Sequence, residues 1–219
     1  MLRLFPIQIV KLLFLLVFTV GCCSVHAKGK MAYNGYAGGM MFHTGYVFGG
    51  QSTPQQGGVA VGEPISMSGM PMGIGGALRF RFGDYLRIGT EGYSTTLNYN
   101  KNASYARVGW GGVLADCAFT IREKHLLFVG MTLGGGSCKN LTLTGETAED
   151  WEVEQNTSYR KYAFMALAPF VGYEYSLTRR IHLICKLDYL LNVSNPQPDF
   201  CTGPRLYVGF MFCRGPKKV

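Results

Sequence analysis

Charge is scarce in this sequence: Asp, Glu, Lys and Arg make up 16% of its 219 residues, against roughly 25% in ordinary soluble domains. The dense charged exterior of a cytosolic protein is therefore missing. No stretch after residue 30 keeps a 3.6-residue apolar period over three turns, which excludes a helical bundle. The net charge of +8 comes from 21 scattered basic residues without a Lys/Arg-rich run, so no nucleic-acid partner is expected. No C-x-x-C pair occurs in the chain after the leader, which removes zinc ribbons and thioredoxin-like redox motifs. The glycine stretch from Gly69 to Gly76 has no Lys-Ser/Thr and no helix after it, so it is not a phosphate loop. Disorder is excluded by 13 tyrosines and 14 phenylalanines.

What is present begins with an address. Arg3 and Lys11 flank a short charged start, Leu12 to Val20 is apolar, and Val25 and Ala27 supply the −3 and −1 positions of a cleavage site. The apolar run is short of the ~20 residues of a membrane helix. Residues 1–27 thus read as a cleaved secretory signal and 28–219 as one domain. Gly21-Cys22 leaves lipidation open, although Thr19 fits that box poorly. Five cysteines remain, Cys117, Cys138, Cys185, Cys201 and Cys213, of which Cys138 and Cys201 pair only if their loops meet.

Beyond the leader the sequence alternates with period two. In Met72 to Gly83 one phase reads Met72, Ile74, Leu78, Phe80, Phe82 and the other Gly73, Gly75, Ala77, Arg79, Arg81. The same split recurs from Tyr36 to Phe48, after Gly83-Asp84, from Tyr105 to Ile121, after Lys124, from Met165 to Tyr175, from Ile181 to Leu191 and from Arg205 to Phe212. The Tyr105–Ile121 run changes phase near Leu114 to Asp116, where a β-bulge is expected, and Pro169 sits awkwardly in its run. Eight strands within about 36–213 result. Few residues join strands two–three, four–five and six–seven. Long loops join one–two and five–six, and intermediate ones join three–four and seven–eight. That is the wiring of an antiparallel up-and-down barrel.

Alternation alone leaves open which phase faces inward. A soluble lipocalin-like barrel puts the apolar phase inside, a membrane barrel outside. Three features favour the membrane. The polar phase is rich in glycine and alanine, as a narrow lumen requires. Its charges are few and of both signs: Arg79, Arg81, Arg87, Glu91, Glu174, Lys186, Asp188 and Arg205. Buried charges persist only when paired, and this set allows a lumenal network in which the three first arginines meet Glu91, Glu174 and Asp188. Lastly, Phe48, Phe82, Trp110, Tyr173, Tyr175 and Phe212 stand at strand ends in the apolar phase, where an interfacial girdle sits.

The signal, the eight strands and the final aromatic strand Leu206-Tyr207-Val208-Gly209-Phe210-Met211-Phe212 resemble the small outer-membrane β-barrels of Gram-negative bacteria, the OmpA/OmpX-like class. Such chains usually stop at the terminal aromatic, whereas Cys213 to Val219 follow here. The resemblance implies an all-β, eight-stranded antiparallel transmembrane barrel in the outer membrane, monomeric and surrounded by lipid, with short turns in the periplasm. An extracellular protein or glycan is the partner expected for the long loops. One of these carries Glu146, Glu149, Asp150, Glu152 and Glu154 around Trp151; without an Asp-x-Asp-x-Asp-Gly pattern it is no dedicated calcium site. No cofactor, metal or catalytic residue is expected. The rival from another class is a lipid-modifying enzyme resembling the outer-membrane lipid A deacylases, yet no His-x-Ser flanks His43 or His182.

Overall fold

The alternating runs form eight antiparallel strands: β1 (Tyr33–Gly45), β2 (Met72–Phe82), β3 (Leu86–Tyr99), β4 (Ser104–Arg122), β5 (His125–Leu143), β6 (Thr157–Ser176), β7 (Ile181–Tyr189) and β8 (Pro204–Arg214). The structure is a computed structural model that describes residues 32–56, 59–60, 63–99, 104–143 and 157–215. The leader 1–27 and the acidic residues Glu146, Glu149, Asp150, Glu152 and Glu154 lie outside the described residues. Each strand pairs with the next, and β8 returns to β1 with Phe210 opposite Met40, so the sheet closes on itself. Closure removes the free edges that an open sheet would present.

The exterior is apolar and the interior polar. Phe42 and Met72 are 68% and 72% exposed, whereas their inward neighbours Met41 and His43 are buried. Around the ring Leu78, Ile88, Leu133, Met165, Leu187 and Phe210 also point out. Water would oppose such a surface, and lipid favours it. The soluble alternative falls on this point.

Tight turns close one end. Gly83 turns β2 into β3 at φ 59°, a left-handed conformation that favours glycine. The Thr178 hydroxyl accepts the amides of Arg180 and Ile181 between β6 and β7. At the other end the strands are unequal. β3 to β6 have 14, 19, 19 and 20 residues, beyond the roughly 9–11 that cross a bilayer. β1, β2, β7 and β8 have 13, 11, 9 and 11. Half of the barrel therefore rises as a wall above the rest. The expected intermediate link between the third and fourth strands shrinks to residues 100–103, because both strands run further than their alternation suggests.

Two irregularities differ from expectation. No bulge occurs at Leu114 to Asp116; β4 stays in register there, and its shift against β5 falls between Thr120 and Arg122. Pro169 fits because the β6–β7 ladder ends at Phe170–Asp188 and resumes only at Leu167–Leu191. A residue without an N–H occupies the gap.

Candidate functional site

The period of two aims one side chain in two from every strand into the lumen, and the middle of that space holds charge. Arg87 Nε donates to Asp116 Oδ1 at 2.6 Å and its Nη1 to Glu174 Oε2 at 2.5 Å. Arg79 Nε stands 3.6 Å from Asp116 Oδ2, with its guanidinium 4.6 Å over the Phe128 ring. Lys186 Nζ donates to Glu91 Oε2 at 2.8 Å and lies 3.4 Å from Asp188 Oδ2. Arg205 Nε donates to Asp188 Oδ1 at 2.8 Å, and the Thr132 hydroxyl to Glu91 Oε1 at 2.6 Å. Four cations (Arg79, Arg87, Lys186, Arg205) thus face four anions (Glu91, Asp116, Glu174, Asp188), all buried. The layer is electrically neutral, as burial in a lipid-walled space demands.

Seven of the eight charges read from the sequence lie in this layer. Arg81 does not: it sits at the β2–β3 turn and donates to the Asp84 carbonyl at 2.7 Å. Glu91 meets a lysine rather than an arginine. Asp116 was missed, because Val113 to Ala118 reads apolar in both phases around it. The unbroken register of β4 carries Asp116 inward and Trp110 with it. Trp110 is therefore no girdle residue; it is buried beneath Arg205, whose guanidinium lies 5.2 Å from its ring.

The tall end is capped. Val47–Ser52 and Ile65–Gly69, both in the β1–β2 connection, pair as a hairpin. They lean on the inner face of the wall. Ser52 Oγ and Thr142 Oγ1 are 2.7 Å apart, Asn140 Nδ2 donates to Ser52 Oγ at 2.9 Å, and the Tyr99 hydroxyl donates to Asn140 Oδ1 at 2.5 Å. The β7–β8 segment joins them. Gln51 donates its amide to the Pro198 carbonyl at 2.8 Å, Asp199 Oδ1 pairs with Arg160 at 3.3 Å, and Phe200 packs on Phe164 with centroids 4.8 Å apart. Cys138 and Cys201 are both buried within this cap as free thiols, and burial pushes the Cys201 thiol pKa up.

At the short-turn end the lumen opens into a cavity of about 220 Å³ lined by Arg79, Arg81, Arg87, Glu174 and His182 among others. His182 Nε2 lies 3.3 Å from Ser176 Oγ, and its Nδ1 3.9 Å from Glu174 Oε1. The other two histidines of the barrel have structural settings. His43 hydrogen-bonds Thr95 between the rings of Tyr93 and Tyr207, and His125 Nδ1 pairs with the Tyr173 hydroxyl at 2.6 Å. Among the described residues no three His, Cys, Asp or Glu side chains are grouped to hold a metal ion.

The closed ring of eight strands has likenesses among solved structures. The chain is similar to the outer membrane protein OprG from Pseudomonas aeruginosa, with TM-score 0.57 and 12% identity over 86% of this chain and 99% of that one. The fold is that of a small outer-membrane β-barrel. Looser likenesses are Neisserial surface protein A (TM-score 0.49, 15% identity, 81% and 96% covered) and the attachment invasion locus protein Ail of Yersinia pestis. Ail, solved in complex with the heparin analogue sucrose octasulfate, gives 0.47 at 13% identity over 82% and 99% of the two chains. No protein-family model and no curated protein matches the sequence. At these identities the likeness to the outer-membrane barrel carries the fold alone.

Proposed function

We propose that this outer-membrane barrel is a monomeric, non-enzymatic surface protein with a lumen that does not conduct, its binding face being the tall end. One observation carries the reading: above the short-turn cavity the interior is occupied by the chain itself, ion pairs in the middle and the hairpin cap at the tall end. Eight strands leave an interior just wide enough for side chains, so neither solute passage nor a deep ligand pocket fits. Short turns face the periplasm in such barrels, which puts both barrel ends near Tyr33 and Arg214 inside and the wall of β3 to β6 outside. The leader 1–27 would deliver it. Loops on a rigid scaffold are where binding concentrates, and the connections 46–71, 144–156 and 190–203 are the longest, suited to an extracellular protein or glycan. Planar-bilayer recordings test the lumen: absent or small, irregular steps are expected, and large stable conductance would overturn the reading.

One arrangement favours a second reading, a hydrolase acting on lipid. Ser176, His182 and Glu174 stand in the order of a nucleophile, base and orienting acid. Against it, Glu174 is held by Arg87 at 2.5 Å, and 3.9 Å to the imidazole is beyond a hydrogen bond. Mass spectrometry of envelope lipids with wild type and Ser176→Ala separates the two. An acyl change present with wild type and lost in the variant would replace the binding reading with the enzyme.

A further inference from the structure

The register of β4, β5 and β6 sorts their outward residues into rows. Phe119 stands opposite Leu127, and Leu127 opposite Tyr173. Twelve residues further along each strand (119 to 107, 127 to 139, 173 to 161), Arg107 stands opposite Lys139 and Lys139 opposite Lys161. All three cations are exposed. Between the two rows the outward positions are uncharged, Val129, Met131 and Leu133 on β5 and Val171, Leu167 and Met165 on β6 among them. A strand crosses the hydrocarbon in roughly 9–11 residues. The cationic row therefore stands just past the apolar belt, at the level of lipid headgroups. Tyr105, Leu141 and Tyr159 form the next row outward, in the interfacial position tyrosine favours.

Three like charges on neighbouring strands are an unfavourable arrangement by themselves. Strands lie about 4.8 Å apart, and like charges directly opposite one another repel. Among the described residues no carboxylate pairs with any of the three. Arg107 Nε donates to the neutral Ser94 hydroxyl at 3.3 Å, which leaves its charge uncompensated. The arrangement becomes favourable only with an anion laid across it. The stems of Lys139 and Lys161 can lie along acyl chains while their ammonium groups reach the headgroup layer.

We propose that Arg107, Lys139 and Lys161 form a docking site for the phosphorylated headgroup of a membrane lipid. The row spans about 10 Å, two strand spacings, which suits a headgroup bearing two phosphates. Assignment to the outer leaflet rests on the orientation proposed above. Binding itself does not.

The test uses the full chain folded in uncharged detergent micelles, titrated with a diphosphorylated disaccharide lipid and followed by native mass spectrometry. The same lipid without its phosphates is the reference. Wild type should prefer the phosphorylated form by about tenfold or more, and the preference should weaken with salt. Arg107→Gln with Lys139→Gln and Lys161→Gln should abolish the preference while the folded gel mobility persists. Lys139→Gln alone, the central and mildest change, should reduce it by about threefold. A triple variant that keeps the preference, or a wild type without one, would overturn the site. Equal binding of a phosphorylated sugar lacking acyl chains would overturn it in favour of a soluble glycan. Preference that appears only after Glu146, Glu149, Asp150, Glu152 and Glu154 are changed to Gln would assign the row to the chain's own acidic segment instead. Conductance is unaffected by any of these results, so the closed-lumen reading stands or falls separately.

Discussion

Lys186 Nζ lies 2.8 Å from Glu91 Oε2, with both side chains fully buried and the two residues 95 positions apart in sequence. The pair bridges β7 and β3, strands on different sides of the ring, so it spans the lumen and ties its walls together. Lys186 also stacks over Tyr207, 4.3 Å from the ring centroid. A cation in this place is stabilised from several sides at once.

Replacing Lys186 by Met leaves Glu91 and Asp188 facing each other without their shared cation. The expected loss is about 3–5 kcal/mol, the usual cost of breaking one side of a buried pair. Lys186→Met with Glu91→Gln should recover a large part of it. The urea midpoint of the folded, fast-migrating gel band measures both, and a double variant no better than the single would disprove the pairing.

Asp116 serves two arginines and Glu174 principally one. Asp116→Ala should therefore lower stability more than Glu174→Ala, although each strands a buried guanidinium at about 3–5 kcal/mol. Thermal unfolding followed by gel mobility decides the order. Equal midpoints would mean that Arg79 draws nothing from Asp116.

Gly172 makes room for Phe128, on which Arg79 and Arg87 both rest. A Cβ there would lie 2.1 Å from Phe128 Cζ, whereas a Cβ at Gly109 meets nothing within 4 Å. Gly172→Ala should cost about 1–3 kcal/mol by overpacking, and Gly109→Ala close to nothing. If the two variants unfold at the same temperature, the close contact is wrong.

Orientation is tested from outside living cells. An epitope inserted between Thr178 and Arg179 should be hidden from antibody on intact cells and visible after permeabilisation. One inserted after Pro196 should be visible on both. The reverse pattern would invert the barrel and move the Arg107 row to the inner leaflet.

Arg79, Lys186 and Asp188 were legible as inward-facing because their neighbours in sequence are apolar, which sets the phase of each strand, and Glu91 because it lies in the phase opposite Leu86 and Ile88. Asp116 and Trp110 were not, since both phases around them are apolar or small and alternation has no contrast to read. Which arginine meets which acid was also beyond the sequence, because the stagger of eight strands decides who shares a level. Ser52, Asn140 and Asp199 come from three separate parts of the chain, and no local pattern marks them as one cap.

The sequence by itself determined the strand count, the short turns and the alternation, because those depend on side-chain period and turn chemistry within a few residues. Only the tertiary structure decided that the apolar phase faces outward, that the lumenal charges balance, and that Arg107, Lys139 and Lys161 stand in one row. The physical reason for the first is the direction in which the sheet curls on closing, which alternation leaves open; for the other two it is register, because a shift of two residues would preserve every alternation while changing every partner.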